Sequence, residues 1–242
     1  MGRLITEEVE ADNGLELAGA VEAAGHEGLG TAVSGIEVTD SLREIIEKGD
    51  VIVDFTNPES ALGLIHACSE SKKAAVVGTT GFSVEQLVEI RKASEKTALF
   101  MSPNMSVGVN LMFKVTGDVA AALPDFDIEI SEIHHNRKKD SPSGTASKLA
   151  DIVEEARPGA DRVHGRRGMV GTRNKKEIGI HSLRGGDVVG EHTVVFAGEG
   201  ERFELTHRAH SRRTFARGAI RAMHFISNKR PGLYSMADVL GF

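Results

Sequence analysis

The chain has 242 residues, is 40% hydrophobic and carries a formal net charge of −6. That is enough apolar material for a real core in one or two domains, and too acidic a balance for a nucleic-acid binder. The single Cys68 lies in the apolar run ALGLIHACSES and reads as a buried, inert thiol in a reducing cytoplasm, while no apolar run approaches the roughly 20 residues that span a bilayer.

Near the start, Glu7, Glu8 and Glu10 are unlike a signal-peptide core, so neither export nor a membrane partner is expected. The first hundred residues then alternate β-rich and amphipathic helical runs. Leu15–Val21, Val51–Phe55, Ala74–Gly78 and Ala98–Ser102 read as strands. Between them, SLREIIEK ends before Gly49, and PESALGLIHACSE has Asn57 as N-cap with Pro58 at its first position. SVEQLVEIRKASEK places Ser83 and Gln86 at capping-box spacing. This is a βαβ series, which predicts an α/β fold with a parallel, doubly wound sheet whose ligands lie beyond the carboxyl ends of the strands. Asp54-Phe55-Thr56 and Gly78-Thr79-Thr80 stand at two of those ends.

From about Asp125 the pattern changes. Asp127 to Ile133 alternates polar and apolar as a half-buried strand, and ASKLADIVEEAR reads as a helix that ends before Pro158. A Gly- and Arg-rich loop, Gly159 to Lys176, follows. IGIHSLRGG, EHTVVFAGEG and ERFELTHRAHS then predict an antiparallel meander, and TFARGAIRAMHFIS returns to helical periodicity. The second region is therefore an inserted α+β domain. The expected division is 1–104 with 214–242 for one domain and 105–213 for the other.

The segment Glu132 to Ala146, EIHHNRKKDSPSGTA, carries the most chemistry. It places two histidines at a strand end, then a basic run, then a small-residue turn before a helix. Free N–H groups at that helix start, with the Ser143 and Thr145 hydroxyls, suit a carboxylate or phosphate, stabilised by roughly 0.3–1 kcal/mol from the helix dipole alone. Arg137 and Lys138 add full charges nearby. The plainer alternative is a solvated basic loop after an edge strand. Lys and Arg also cluster at 162–176 and 208–221, where local patches suit small acidic ligands.

This string resembles the signature of the dihydrodipicolinate reductases, NAD(P)H enzymes of the diaminopimelate route to lysine. DFTNPE (Asp54 to Glu59), VVGTTGF (Val76 to Phe82), NMSVGVN (Asn104 to Asn110), RGGDVVGEHTVVF (Arg184 to Phe196) and HSRRTFARGAIRA (His210 to Ala222) extend the resemblance over nearly the whole chain. It implies a Rossmann-like nucleotide domain and a second domain that binds substrate and assembles a homotetramer. The implied substrate is a small cyclic dicarboxylate. By the same resemblance His134 is a proton donor and acceptor, Lys138 is a proton donor, and His135, Ser143, Gly144 and Thr145 hold the substrate carboxylates. NADH or NADPH would meet Met1, Glu22, Gly78, Thr79, Thr80, Ser102, Pro103, Asn104 and Met105. Ala23 follows Glu22 where some relatives carry an arginine, so NADH is expected to serve at least as well as NADPH.

One departure stands out. Glu22 lies 20 residues after Gly2, the separation expected between the last glycine of a dinucleotide fingerprint and the acid that binds ribose hydroxyls. The first strand and most of the glycine loop of the family are thus expected to be missing ahead of Met1. A dicarboxylate-binding remnant without cofactor binding is the alternative this leaves open. A semialdehyde dehydrogenase would need a catalytic cysteine, and Cys68 sits in a helix away from the strand ends. His181, His192, His207 and His210 lack metal-ligand spacing and read as structural histidines, so no metal is expected. Arg212 is open between a substrate carboxylate and an interdomain ion pair, and Lys139 and Arg137 read as solvated or as aids to binding.

Overall fold

The computed structural model describes residues 1–242 and divides into two units, Met1–Ser106 with Arg213–Phe242, and Val107–Arg212. In the first unit the chain runs through α1 (Gly2–Glu10), β1 (Ala20–Val21), β2 (Ala32–Val33), β3 (Ile36–Thr39) and α2 (Leu42–Ile45), which a short 3-10 turn extends to Lys48. It continues through β4 (Val51–Asp54), α3 (Pro58–Ser71), β5 (Ala74–Val77), α4 (Val84–Ser94) and β6 (Ala98–Met101). Four strands form an all-parallel sheet, the fourth being a late addition, Gly232–Tyr234, that pairs with β6 on the side away from β5.

Both faces of that sheet are covered, as parallel strands require. Ala75, Val77 and Leu99 pack against Ala61, Ile65 and Cys68 of α3 and Ile90 of α4. Val76 and Phe100 alternate to the opposite face, where they are fully buried. The caps read from sequence hold the helices in place. Asn57 accepts from Ser60 N at 3.1 Å, and Ser83 with Gln86 closes a reciprocal capping box.

Two expectations for this unit need correction. The strand expected over Leu15–Val21 contracts to Ala20–Val21, and it pairs with β3 in a separate three-stranded sheet. A strand is stabilised by the ladder beside it, and here only Val38 and Thr39 face it. Residues 32–39, unassigned from sequence, form a small hairpin.

The second unit contains α5 (Val107–Ala122), β7 (Asp127–His134), α6 (Gly144–Ala156), β8 (Asp161–His164), β9 (Glu177–Arg184), β10 (Gly190–Ala197) and β11 (Arg202–Ala209). Its five-stranded sheet has the order β11-β10-β7-β9-β8. Ile128, Ile130, Ile178, Ile180, Val194 and Phe196 make the core with Leu149 and Val153 of α6.

The predicted antiparallel meander is only half present. β10 and β11 pair antiparallel, but β7 lies between β9 and β10, and β9 runs parallel to it. The connection from β9 to β10 passes over the end of β7. There Gly185 N donates to His134 O, His135 N to Val188 O at 2.7 Å and Asn136 N to Gly186 O. A turn read from local sequence assumes that its flanking strands are neighbours, and here the turn bridges a third. The loop expected over 159–176 also contains β8. Its arginines do not form a free basic patch: Arg166 and Arg173 both bind Glu129, and Arg162 binds Asp151 and Glu154. After the second unit, α7 (Arg213–Ile226), β12 (Gly232–Tyr234) and α8 (Met236–Leu240) complete the first.

Candidate functional site

In the second unit the site is built on the last turn of pleat in β7. Glu132 and His134 stand two residues apart and so share the face that α6 covers. Glu132 Oε2 lies 2.5 Å from His134 Nδ1. The same carboxylate accepts both Arg184 guanidinium nitrogens, at 2.8 and 2.9 Å, and Ser143 N at 3.1 Å. Burial alone would raise the Glu132 carboxyl. Hydrogen bonds from Arg184, His134 and Ser182 outweigh it and hold the group at about 2, so an ionised carboxylate faces the ring.

That carboxylate fixes the His134 tautomer, with Nδ1 as donor and Nε2 turned away. Nε2 faces Gly190 on β10, where a Cβ would stand 2.9 Å from it. A side chain at this position would press on Nε2, so only glycine leaves that nitrogen unobstructed from β10. Burial lowers the His134 pKa, the Glu132 charge and hydrogen bond oppose that fall, and the charges of Lys138 and Arg184 add to it. The net effect holds the ring below the ordinary imidazole value, so at neutral pH it is unprotonated on Nε2 and able to accept a proton there.

The turn after β7 brings Lys138 back beside this pair. Lys138 N donates to His135 O, and Lys138 Nζ pairs with Asp140 Oδ2 at 2.9 Å. Lys139 and Arg137 are exposed. His135 is half-buried, and its Nδ1 is a buried nitrogen with no hydrogen-bond partner. At the start of α6, Ser143 is the N-cap and accepts from Ala146 N at 3.2 Å. Gly144 is exposed with open space around it, and Gly144 and Thr145 supply the first N–H groups of the helix. The structure thus brings His134, His135, Lys138, Ser143, Gly144 and Thr145 to one end of one sheet. The arrangement can hold an anion at a helix start next to two groups able to handle a proton.

Sequence reasoning gave no individual role to Glu132, Arg184 or Gly190. His192 was expected to be a satisfied structural histidine. It is buried on β10 with Nε2 3.0 Å from Ser143 Oγ, while its Nδ1 has no partner. Burial, with the charge of His134, pushes its pKa down to about 3. The available signal was Glu-x-His spacing on an alternating strand, which puts a carboxylate on the histidine's own face.

In the first unit the expected cofactor residues gather at the carboxyl ends of β1, β5 and β6. Glu22 is exposed directly after β1. Thr79 donates to Asp54 Oδ2 at 2.5 Å and accepts from Thr56 N at 2.9 Å, which ties the β4 and β5 loops together. Phe55 lies over Gly78, where a Cβ would meet its ring at 2.3 Å. Ser102 donates to Asn104 O at 2.6 Å, and Asn104 Oδ1 accepts from Ser106 N at 2.8 Å. Met105 is buried against Gly218 of α7. The Thr79, Ser102 and Met105 side chains thus shape their loops, which leaves backbone groups and the exposed Thr80 and Pro103 as the groups that could meet a ligand. Met1 caps α1 without a side-chain hydrogen bond. Loops of this kind, with polar backbone exposed beyond parallel strands, fit a dinucleotide.

The chain matches the profile of the dihydrodipicolinate reductase N-terminus over residues 1–105 and that of the C-terminus over residues 108–240. It is 48% identical to a 4-hydroxy-tetrahydrodipicolinate reductase of Syntrophus aciditrophicus (strain SB), covering 100% of this chain and 95% of the relative. Identity is 46% to the protein of that description from Syntrophobacter fumaroxidans (strain DSM 10017 / MPOB), with the same coverage. Among solved structures, dipicolinate-bound dihydrodipicolinate reductase from Paenisporosarcina sp. TG-14 superposes with a TM-score of 0.82 at 28% identity, covering 98% of this chain and 94% of that one.

Proposed function

The chain belongs to the dihydrodipicolinate reductase family, and from that premise we propose how its own residues carry out the family's reaction. The reaction is the reduction of 4-hydroxy-tetrahydrodipicolinate to tetrahydrodipicolinate by NADH or NADPH in the diaminopimelate route to lysine, with the 4-hydroxyl leaving as water. The bound dinucleotide supplies the hydride. The proton that completes the reduction comes from this chain, and the observation that carries the assignment is the Glu132–His134 pair at 2.5 Å.

A dicarboxylate ring needs two anion sites. The start of α6 supplies one through Gly144 N, Thr145 N and the Thr145 hydroxyl. His135 supplies a second contact, its unpartnered Nδ1 being a buried polar atom that a ligand would satisfy. Lys138 delivers a proton from Nζ once substrate draws the ammonium from Asp140. His134 Nε2 gives or takes a proton on the side that Gly190 leaves open, and Glu132 stabilises the imidazolium that forms. The residues at the strand ends of the first unit, from Glu22 to Met105, hold the dinucleotide. Ala23 offers no positive partner for a 2′-phosphate, which favours NADH.

A homotetramer is the assembly we assign. The exposed Leu183 on β9 and Phe203 on β11 support pairing through the second unit's sheet. No helix is long and apolar enough to cross a membrane, and we place the enzyme in the cytoplasm.

The test is a spectrophotometric assay of NADH and NADPH oxidation with freshly generated 4-hydroxy-tetrahydrodipicolinate. Turnover that depends on this substrate is expected with both, and no turnover with either would overturn the assignment.

A further inference from the structure

His192 is titratable, buried and so far without a task. It stands on β10 directly opposite Glu132 of β7 and His207 of β11, and it belongs to the same face as His134. Its ring packs edge-on against that of His134, with centroids 5.1 Å apart and planes at 74°. Its only hydrogen bond joins Nε2 to Ser143 Oγ. The charged and titratable groups around it are His134, Glu132, His207 and Lys138, and burial keeps the ring neutral.

A neutral imidazole carries one N–H, and the surroundings decide where. If Ser143 donated to Nε2, the proton would sit on Nδ1, a buried nitrogen with nothing to receive it. Buried N–H groups left without an acceptor are rarer than buried acceptors left bare. The proton therefore sits on Nε2 and is donated to Ser143. Ser143 Oγ then accepts twice, from His192 Nε2 and from Ala146 N. Both lone pairs are filled, so the hydroxyl can only donate its own proton.

Resting on the substrate site proposed above, we infer that His192 is a positioning residue for substrate binding: by donating from Nε2 to Ser143 it commits the Ser143 hydroxyl proton to the anion held at the start of α6. Nothing in this role touches the reacting atoms. Its signature is substrate affinity, with hydride and proton transfer unaffected.

The first test uses the intact protein, with ring 15N shifts recorded with and without pyridine-2,6-dicarboxylate. His192 is expected as the Nε2–H tautomer at pH 7, and the ligand is expected to shift the His134 resonances. Ligand-shifted His134 resonances with His192 protonated on Nδ1 would overturn the inference alone. A His134 ring indifferent to the ligand would overturn the substrate site and the inference together. The second test is kinetic. His192→Leu should raise KM for the dicarboxylate about 10-fold, the loss expected for one hydrogen bond to a charged group, with kcat within about 2-fold and KM for NADH unchanged. His192→Gln, whose amide nitrogen replaces Nε2, should bring KM back to within about 3-fold of the native value. An unaltered KM in His192→Leu, or a Gln variant as impaired as the Leu variant, would overturn the inference.

Discussion

Glu132 Oε2 lies 2.5 Å from His134 Nδ1, and the two residues meet because a strand returns to the same face every second position. The pair makes the pH dependence of the reaction testable. Glu132→Gln keeps an oxygen for the Nδ1–H but removes the charge that opposes the burial of His134. The His134 pKa is then expected to fall further. The limb of the kcat/KM profile that reports this histidine should shift to lower pH by about one unit, the scale of one close charge in a partly buried site. A profile unchanged in Glu132→Gln would separate the carboxylate from the reaction.

Gly190→Ala places a Cβ 2.9 Å from His134 Nε2. The ring must swing away or lose its open side. kcat/KM is expected to drop about 10–100-fold, the cost of misplacing a proton-transfer group. Steady-state kinetics beside a thermal melt is the check, with Tm changing little. Full activity in this variant would put the working nitrogen elsewhere.

Acid should weaken the fold in a defined window. The unfolded His192 takes a proton near 6.5 and the folded one only near 3. Below pH 6.5 the unfolded state therefore binds more protons, and stability falls as pH falls. Each such unit costs about 1.4 kcal/mol, so His192 alone costs roughly 3 kcal/mol between pH 6.5 and 4.5. Glu132 acts in a lower window, its contribution present above its ordinary 4.5 and lost as pH falls toward about 2. Urea unfolding at pH 7, 5.5 and 4.5 should show the first loss, and His192→Leu should flatten it.

In the first unit, Gly218 packs so closely under Met105 that a Cβ would stand 1.7 Å from the Met105 carbonyl oxygen. That atom is backbone and cannot rotate aside. Gly218→Ala is expected to destabilise by about 1–3 kcal/mol, as overpacking does. The loop from Ser102 to Met105 should move with it, so KM for NADH rises while pyridine-2,6-dicarboxylate binding by the second unit does not change. Isothermal titration with each ligand reads the difference.

Lys138 and Lys139 are neighbours with unlike settings. Lys138 is half-buried beside Asp140, and Lys139 is exposed. Lys138→Ala should lower kcat about 100-fold and Lys139→Ala less than about 3-fold. Equal damage would shift the register of the basic run.

Much of this was legible in the chain. The caps at Asn57 and Ser83 act over three residues and were read directly. The string from Glu132 to Ala146 marked out the candidate site because strand end, basic turn and helix start are consecutive. What stayed hidden depends on distant partners. Arg184 reaches Glu132 from 52 residues away, and His192 reaches Ser143 from 49. The arginines of the 162–176 loop looked like a free patch because Glu129, which neutralises two of them, lies on another strand. The meander misled because its turn crosses over β7, a relation that no local spacing records.

The most direct measurement is the steady-state kinetics of His134→Ala with 4-hydroxy-tetrahydrodipicolinate and NADH. Proton handling at Nε2 predicts kcat lower by about 10²–10⁴-fold, with KM for both ligands within a few-fold. A variant that keeps native kcat would contradict the account.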